Sequence, residues 1–140
     1  MRFSLPLVLS VSMFGCSGTR PADLGIKDGR LRPCPDSPNC VSSMPGEDTE
    51  HSVAPLSASL AEVRQALQGM ERVTIVTDNE TYLHAEFTSQ IMGFVDDVEF
   101  TVDANESVVH VRSASRLGYS DMGVNRKRVE TLRALLGGGA

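Results

Sequence analysis

The chain of 140 residues has the length of one domain with short appendages, and its formal charge of −5 excludes the basic excess that a nucleic-acid binder normally carries. Aromatic residues make up 5% and Trp is absent, so a core must rest on Val, Leu, Ile and five Phe. No apolar run reaches the roughly 18 residues that a membrane-spanning helix needs.

Residues 1–15 start with one positive charge, Arg2, continue as a short apolar run and end in Met13-Phe14-Gly15-Cys16. This is the pattern of an export signal. A cysteine straight after a small residue resembles a bacterial lipoprotein signal, cut before Cys16, which then carries acyl chains of the palmitate type. An ordinary cleaved signal and a buried structural Cys are the rivals, since Met13 and Phe14 depart from the usual pattern. Ser17 follows the Cys where an aspartate would hold a lipoprotein at the inner membrane, so the outer membrane is slightly favoured. The expected location is the bacterial cell envelope, with the membrane as partner through the lipid anchor.

Residues 16–31 mix Gly, Pro and charge without apolar periodicity and read as a tether. In residues 32–43 the prolines 33, 35 and 38 exclude regular structure. With Cys16 assigned to lipid, Cys34 and Cys40 form an even pair in an oxidising compartment, and a disulfide is expected. Closing so short a loop stabilises by about 2 kcal/mol on the chain-entropy model. The spacing fits neither a thioredoxin-type pair nor a zinc knuckle, and no metal or cofactor is expected. Residues 45–52 read as an exposed acidic loop with a solvated His51.

The spacing predicts a first helix over residues 57–70. Ser59 and Glu62 make a capping box, and Leu60, Val63, Leu67 and Met70 share one face. Strands are expected over 72–77, 81–88, 94–103 and 107–114, joined by short turn-like links. Alternation assigns Val73, Ile75, Leu83, Ala85, Phe87, Val98, Phe100, Val102, Val109 and Val111 to the buried side. It assigns Tyr82, His84, Glu86, Asp97, Glu99, Thr101, His110 and Arg112 to a solvated outer side. Folding at 104–105 sets Phe100 opposite Val109 and Asp97 opposite Arg112. Folding at Asn79 sets Val73 opposite Ala85. Of two registers between the second and third strands, the one opposing Glu86 to Asp97 is repulsive. The other opposes His84 to Asp97 and is preferred, which gives a row His84, Asp97, Arg112 across the outer side.

A second helix is expected over residues 123–136, with Asn125, Val129, Leu132 and Leu136 on one face and a glycine tail over 137–140. The fold class is then α+β: a two-layer, four-stranded antiparallel meander with two helices on one face, in the order α-β-β-β-β-α, as a single domain over residues 32–136.

The polar connection between the last strand and the second helix concentrates candidate chemistry in Arg112, Ser113, Ser115, Arg116, Tyr119, Ser120, Arg126 and Arg128. The run Arg126-Lys127-Arg128 falls in the first turn of a helix, where the macrodipole disfavours cations. Either Asp121, Asp96 or Asp97 compensates it, or an anion binds there. Enzyme motifs are missing: no G-x-S-x-G elbow, no P-loop lysine and no H-E-x-x-H. Ser113 and His110 fall on opposite sheet faces, which disfavours a hydrolytic triad.

The runs over 34–43, 92–100 and 112–128 resemble a bacterial family described only as a domain of unknown function, number 1499, with similar domains in plants. The resemblance spans residues 24–136. It implies no established activity and does not decide between enzyme and binder. Two readings stand at this level. One is a lipid-anchored envelope domain binding a small anionic group or an envelope protein through the 112–128 region. The other is a hydrolase or transferase using His84, Asp97 and His110 with Arg112 on the outer face.

Overall fold

The computed structural model describes residues 17–137. The signal read over 1–15, Cys16 and residues 138–140 lie outside the described residues. Seven elements follow in chain order: β1 (Cys40–Ser42), α1 (Leu60–Gln68), β2 (Val73–Asp78), β3 (Tyr82–Thr88), β4 (Val95–Asp103), β5 (Val108–Ser115) and α2 (Val124–Leu135). The strands form one antiparallel sheet in the order β1-β5-β4-β3-β2. The sheet therefore has five strands, one more than expected. β1 is only three residues long and follows the proline-rich loop, so it offers no alternation to read.

Both helices pack on one face. Leu60, Val63 and Leu67 of α1 and Val129 and Leu132 of α2 meet Leu83, Ala85, Phe87, Val98, Phe100, Val109 and Val111 in a single buried cluster. Val41 of β1 joins it. Helix α1 starts where the capping box places it: the Ser59 hydroxyl accepts from the Glu62 amide, and the Glu62 carboxylate accepts from the Ser59 amide. Helix α2 has no such cap on Gly123. Asp121 supplies it instead, accepting from the amides of Gly123 and Asn125 at 2.9 and 3.0 Å.

Each hairpin register departs from expectation by two residues, and by three in β2 beyond Ile75. Phe100 faces Val111 rather than Val109, and Glu99 rather than Asp97 faces Arg112. The cause is the turn. It takes four residues, with the Asp103 carboxylate accepting from the amides of Asn105 and Glu106. Val73 faces Phe87 rather than Ala85, because the β2–β3 link runs through Thr81 and β2 carries a bulge between Ile75 and Thr77. Between β3 and β4 the register is the one that looked repulsive, with Glu86 opposite Asp97 and His84 opposite Glu99. A shift of two preserves the side of the sheet on which every residue lies, so the inward set is as expected.

The outer side is where expectation fails. His84, Asp97, Glu99, His110 and Arg112 are all buried, and Arg112 and Glu99 almost completely so. The helices do not cover them. Residues 17–35 and the Ser43-Met44 turn do: Arg20 pairs with Glu86, the Gly25 amide donates to Glu99 at 2.7 Å, Leu31 packs with Met44 and Tyr82 in a second small cluster, and Ser43 meets His110. The segment read as a tether thus forms a third layer over the sheet. His51, read as solvated, is also buried, bonded to the Asp48 carboxylate and the Ser37 carbonyl. The Cys34–Cys40 disulfide is formed and holds this layer against the start of β1.

Candidate functional site

The residues of the 112–128 region do not converge on one site. They divide between the two sheet faces, because successive residues of β5 point to opposite sides. On the helix face, Ser113 donates to the Asn125 side-chain oxygen at 2.7 Å. The Asn125 amide group donates to the Asn39 carbonyl, Ser115 and Asp121 at 2.8 to 3.1 Å. Arg128 donates to Ser113 and Asn125, pairs with Asp96 at 2.7 Å and lies over the Phe87 ring. This fully bonded network joins β1, β5 and α2. Arg126 is spent on the carbonyls of Ser52 and Glu50. Ser120 accepts from the Met122 amide, and Tyr119 is exposed.

On the other face, Arg116 explains how Glu86 can sit opposite Asp97. Its guanidinium grips both Asp97 oxygens at 2.8 and 2.9 Å and reaches Glu86 at 2.9 Å. His84 Nε2 donates to Asp97 at 2.8 Å, a diagonal contact that survives the register shift. Burial alone would raise the Asp97 pKa, but the hydrogen bonds from Arg116 and His84 outweigh it and hold the carboxyl at about 2. The expected row of His84, Asp97 and Arg112 is therefore corrected: Arg116 takes the place of Arg112. His110 Nδ1 lies 3.0 Å from the Ser43 hydroxyl and 3.1 Å from its carbonyl, away from this group.

Arg112 is the exception to this saturation. It is 1% exposed, yet its Nε and Nη1 have no hydrogen-bond partner among the described residues. Its one bond is a long one to the Pro33 carbonyl, 3.5 Å. Glu99 Oε1, 3.7 Å from Nη1, is too far for a hydrogen bond and is itself unpartnered. Glu99 Oε2 is meanwhile held by the Tyr82 hydroxyl and the Gly25 amide. Burial and the nearby Arg32 charge push the Arg112 pKa down to about 10, against the pull of Glu99, Asp23 and Glu47. The group remains charged at neutral pH.

Arg112 and Arg32 line one cavity of about 290 Å³, with Asp23, the Pro33-Cys34-Pro35 run, Asn39, Ala114 and Ser115. Arg32 pairs with Asp23, but its buried Nε is also without a partner among the described residues. Sequence reasoning missed Arg32, which lies between the supposed tether and the cysteine loop. Only the N-terminal layer brings it to Arg112. A larger cavity of about 510 Å³ opens between the start of α1 and the β4–β5 turn. None of the four unpartnered buried atoms belongs to residues lining it.

Two groups bring three metal-ligand atoms within 4.8 Å of one another: His84, Glu86 and Asp97, and Asp103, Glu106 and His110. The first already holds the guanidiniums of Arg116 and Arg20, which a cation would have to displace. The second has exposed Glu106 on a turn and no further donor that points to an ion.

A family described as protein of unknown function (DUF1499) matches residues 30–136. The chain belongs to this family. No curated protein matches it. The matched range takes in Arg32, both cysteines and Arg112, so the cavity is built wholly within the family domain except for Asp23.

Proposed function

We propose that this DUF1499 domain is a binding module for a small anionic group, carboxylate or phosphate, seated between Arg112 and Arg32. One observation carries the reading: a fully buried guanidinium with two unpartnered nitrogens shares a cavity with a second, partly exposed arginine that is paired with Asp23 and whose buried Nε is also unpartnered. An unmade hydrogen bond to a buried charged donor is costly, and protein structures rarely leave several together. An anion between the two guanidiniums would accept from both, and Asn39 and Ser115 line the same cavity. In the free protein, the Asp23 carboxylate on Arg32 supplies part of that negative charge.

The other arginines support this assignment by elimination. Arg116, Arg126 and Arg128 are each committed to internal acceptors. The reading that made Arg126 and Arg128 anion ligands thus narrows to Arg112, with Arg32 added. The lipoprotein signal pattern and Cys16 extend the proposal to a domain held at the cell-envelope membrane by acyl chains.

The test is calorimetric titration of the protein with inorganic phosphate and with acetate. Arg32→Ala leaves the buried Arg112 in place and is expected to weaken binding by about 10- to 100-fold, the loss of one charged hydrogen-bonding group. No saturable binding by the parent chain, or an unchanged affinity in the variant, would remove the proposal.

A further inference from the structure

The apolar side chains left in water are not scattered. Of ten large exposed hydrophobic residues among the described residues, seven fall within 91–94 and 117–124. Ile91, Met92 and Phe94 sit on the β3–β4 loop, and Leu117, Tyr119 and Met122 on the loop from β5 to α2. Ile91 and Met122 are more than nine-tenths exposed. The two loops are neighbours: Ser89 and Phe94 share the lining of a cavity of about 240 Å³ with Leu117, Gly118 and Val124. Asp96, Asp121 and Arg128 also line that cavity, each already bonded within the protein, and a concentration of exposed apolar side chains on adjacent loops marks an interaction site.

The start of the described chain says what meets it. Gly18 runs so close to this rim that a Cβ there would lie 2.9 Å from Arg116 Cβ and 3.1 Å from Leu117 Cγ. Ser17, one residue before, is joined directly to Cys16, the expected site of acylation. The chain therefore leaves the domain beside the apolar loops. Charge points the same way. Residues 89–94 carry no charged side chain, and residues 117–124 carry only Asp121, already bonded to the Gly123 and Asn125 amides and the Asn125 side chain. Sinking these loops into an interface therefore strips water from few charged groups.

We infer that the two loops form a membrane-docking surface, entering the lipid interface next to the acyl anchor and fixing the domain's orientation on the bilayer. The inference rests on the lipid-anchor reading above. An anchored chain with a free tether would tumble; this one presents Ile91, Met92, Phe94, Leu117 and Met122 to the acyl region and Tyr119 to the headgroup level, where tyrosine is favoured.

The chain has no Trp, so single-tryptophan variants report cleanly. Ile91→Trp, Met122→Trp and, at the far end of α2, Leu135→Trp are each made in the full chain and isolated from the membrane fraction. Each is placed in vesicles of phosphatidylethanolamine and phosphatidylglycerol with or without brominated acyl chains. The expected result is a blue shift and bromine quenching at 91 and 122 but not at 135. Emission at 91 and 122 that is unchanged by vesicles overturns the inference, as does a blue shift that brominated lipid does not quench, which would mean another occupant. Intact-mass measurement of the same preparations reads Cys16 acylation separately. An unmodified Cys16 with quenched tryptophans removes the anchor and keeps the docking surface. An acylated Cys16 with solvent-like tryptophans does the reverse.

Discussion

Asp97 shows how one side chain can decide the register of two strands. Pairing alone disfavours two carboxylates side by side, and Glu86 opposite Asp97 looks wrong on paper. Arg116, just beyond the end of β5, spans both and turns the repulsion into a three-membered cluster. The consequence is a pH dependence with a definite sign. The folded carboxyl, at about 2, lies below its value in an unfolded chain. Its contribution is therefore present above about pH 4 and lost as pH falls through 2. For so buried a group the contribution is roughly 2 kcal/mol. Urea unfolding at pH 7 and pH 2.5 should show most of that loss in the parent, added to what other carboxylates such as Glu86 and Asp121 lose, and Asp97→Asn should make the acid dependence shallower by the Asp97 share. An identical acid dependence in both would show that Asp97 is not held as described.

At the scale of elements, the joint between β1, β5 and α2 is polar. Asn125 falls on the buried face of α2 beside Val129 and Leu132, as the helical spacing requires. It uses both ends of its side chain, and Ser113, Ser115, Asn39 and Asp121 all depend on it. Asn125→Leu keeps the size but strands these groups, and is expected to destabilise by about 2–4 kcal/mol in thermal or urea unfolding. A loss below about 0.5 kcal/mol, ordinary for a surface change, would mean that the network is ornamental.

The inward residues were legible because alternation with period two survives any even shift. Leu83, Ala85, Val98, Phe100, Val109 and Val111 are all in the core although the β3–β4 and β4–β5 registers both moved by two. The registers themselves were not legible, since they depend on turn length and on Arg116, residues outside the strands. Capping made the start of α1 readable to the residue: Ser59 and Glu62 act only on near neighbours. The surroundings of Arg112 were unreadable for the opposite reason. Arg32 and Asp23, which line its cavity, are about eighty to ninety residues away in a coil without periodicity, and nothing local marks them as meeting β5.

For the whole molecule, the decisive feature is the layer formed by residues 17–35. It turns what alternation reads as a wet sheet face into a buried set of acids, histidines and arginine. Leu31 holds it down, at 2% exposure against Met44 and Tyr82. Leu31→Ala should cost about 2–3 kcal/mol by urea unfolding, at the lower end for a buried leucine because the cluster is small. A tether residue would cost nothing. The same layer closes the cavity that Arg112 and Arg32 share and carries the chain past the apolar loops towards Cys16. The proposed anion site and the proposed membrane-facing rim both depend on this one coil folded over one sheet face.

The most direct test of this arrangement is nuclear magnetic resonance of the arginine Nε–H groups during titration with inorganic phosphate. Saturable shifts confined to Arg112 and Arg32, with Arg116 and Arg128 unmoved on their internal carboxylates, are the predicted result. Equal shifts at every arginine, or an Arg112 resonance that does not respond, would contradict it.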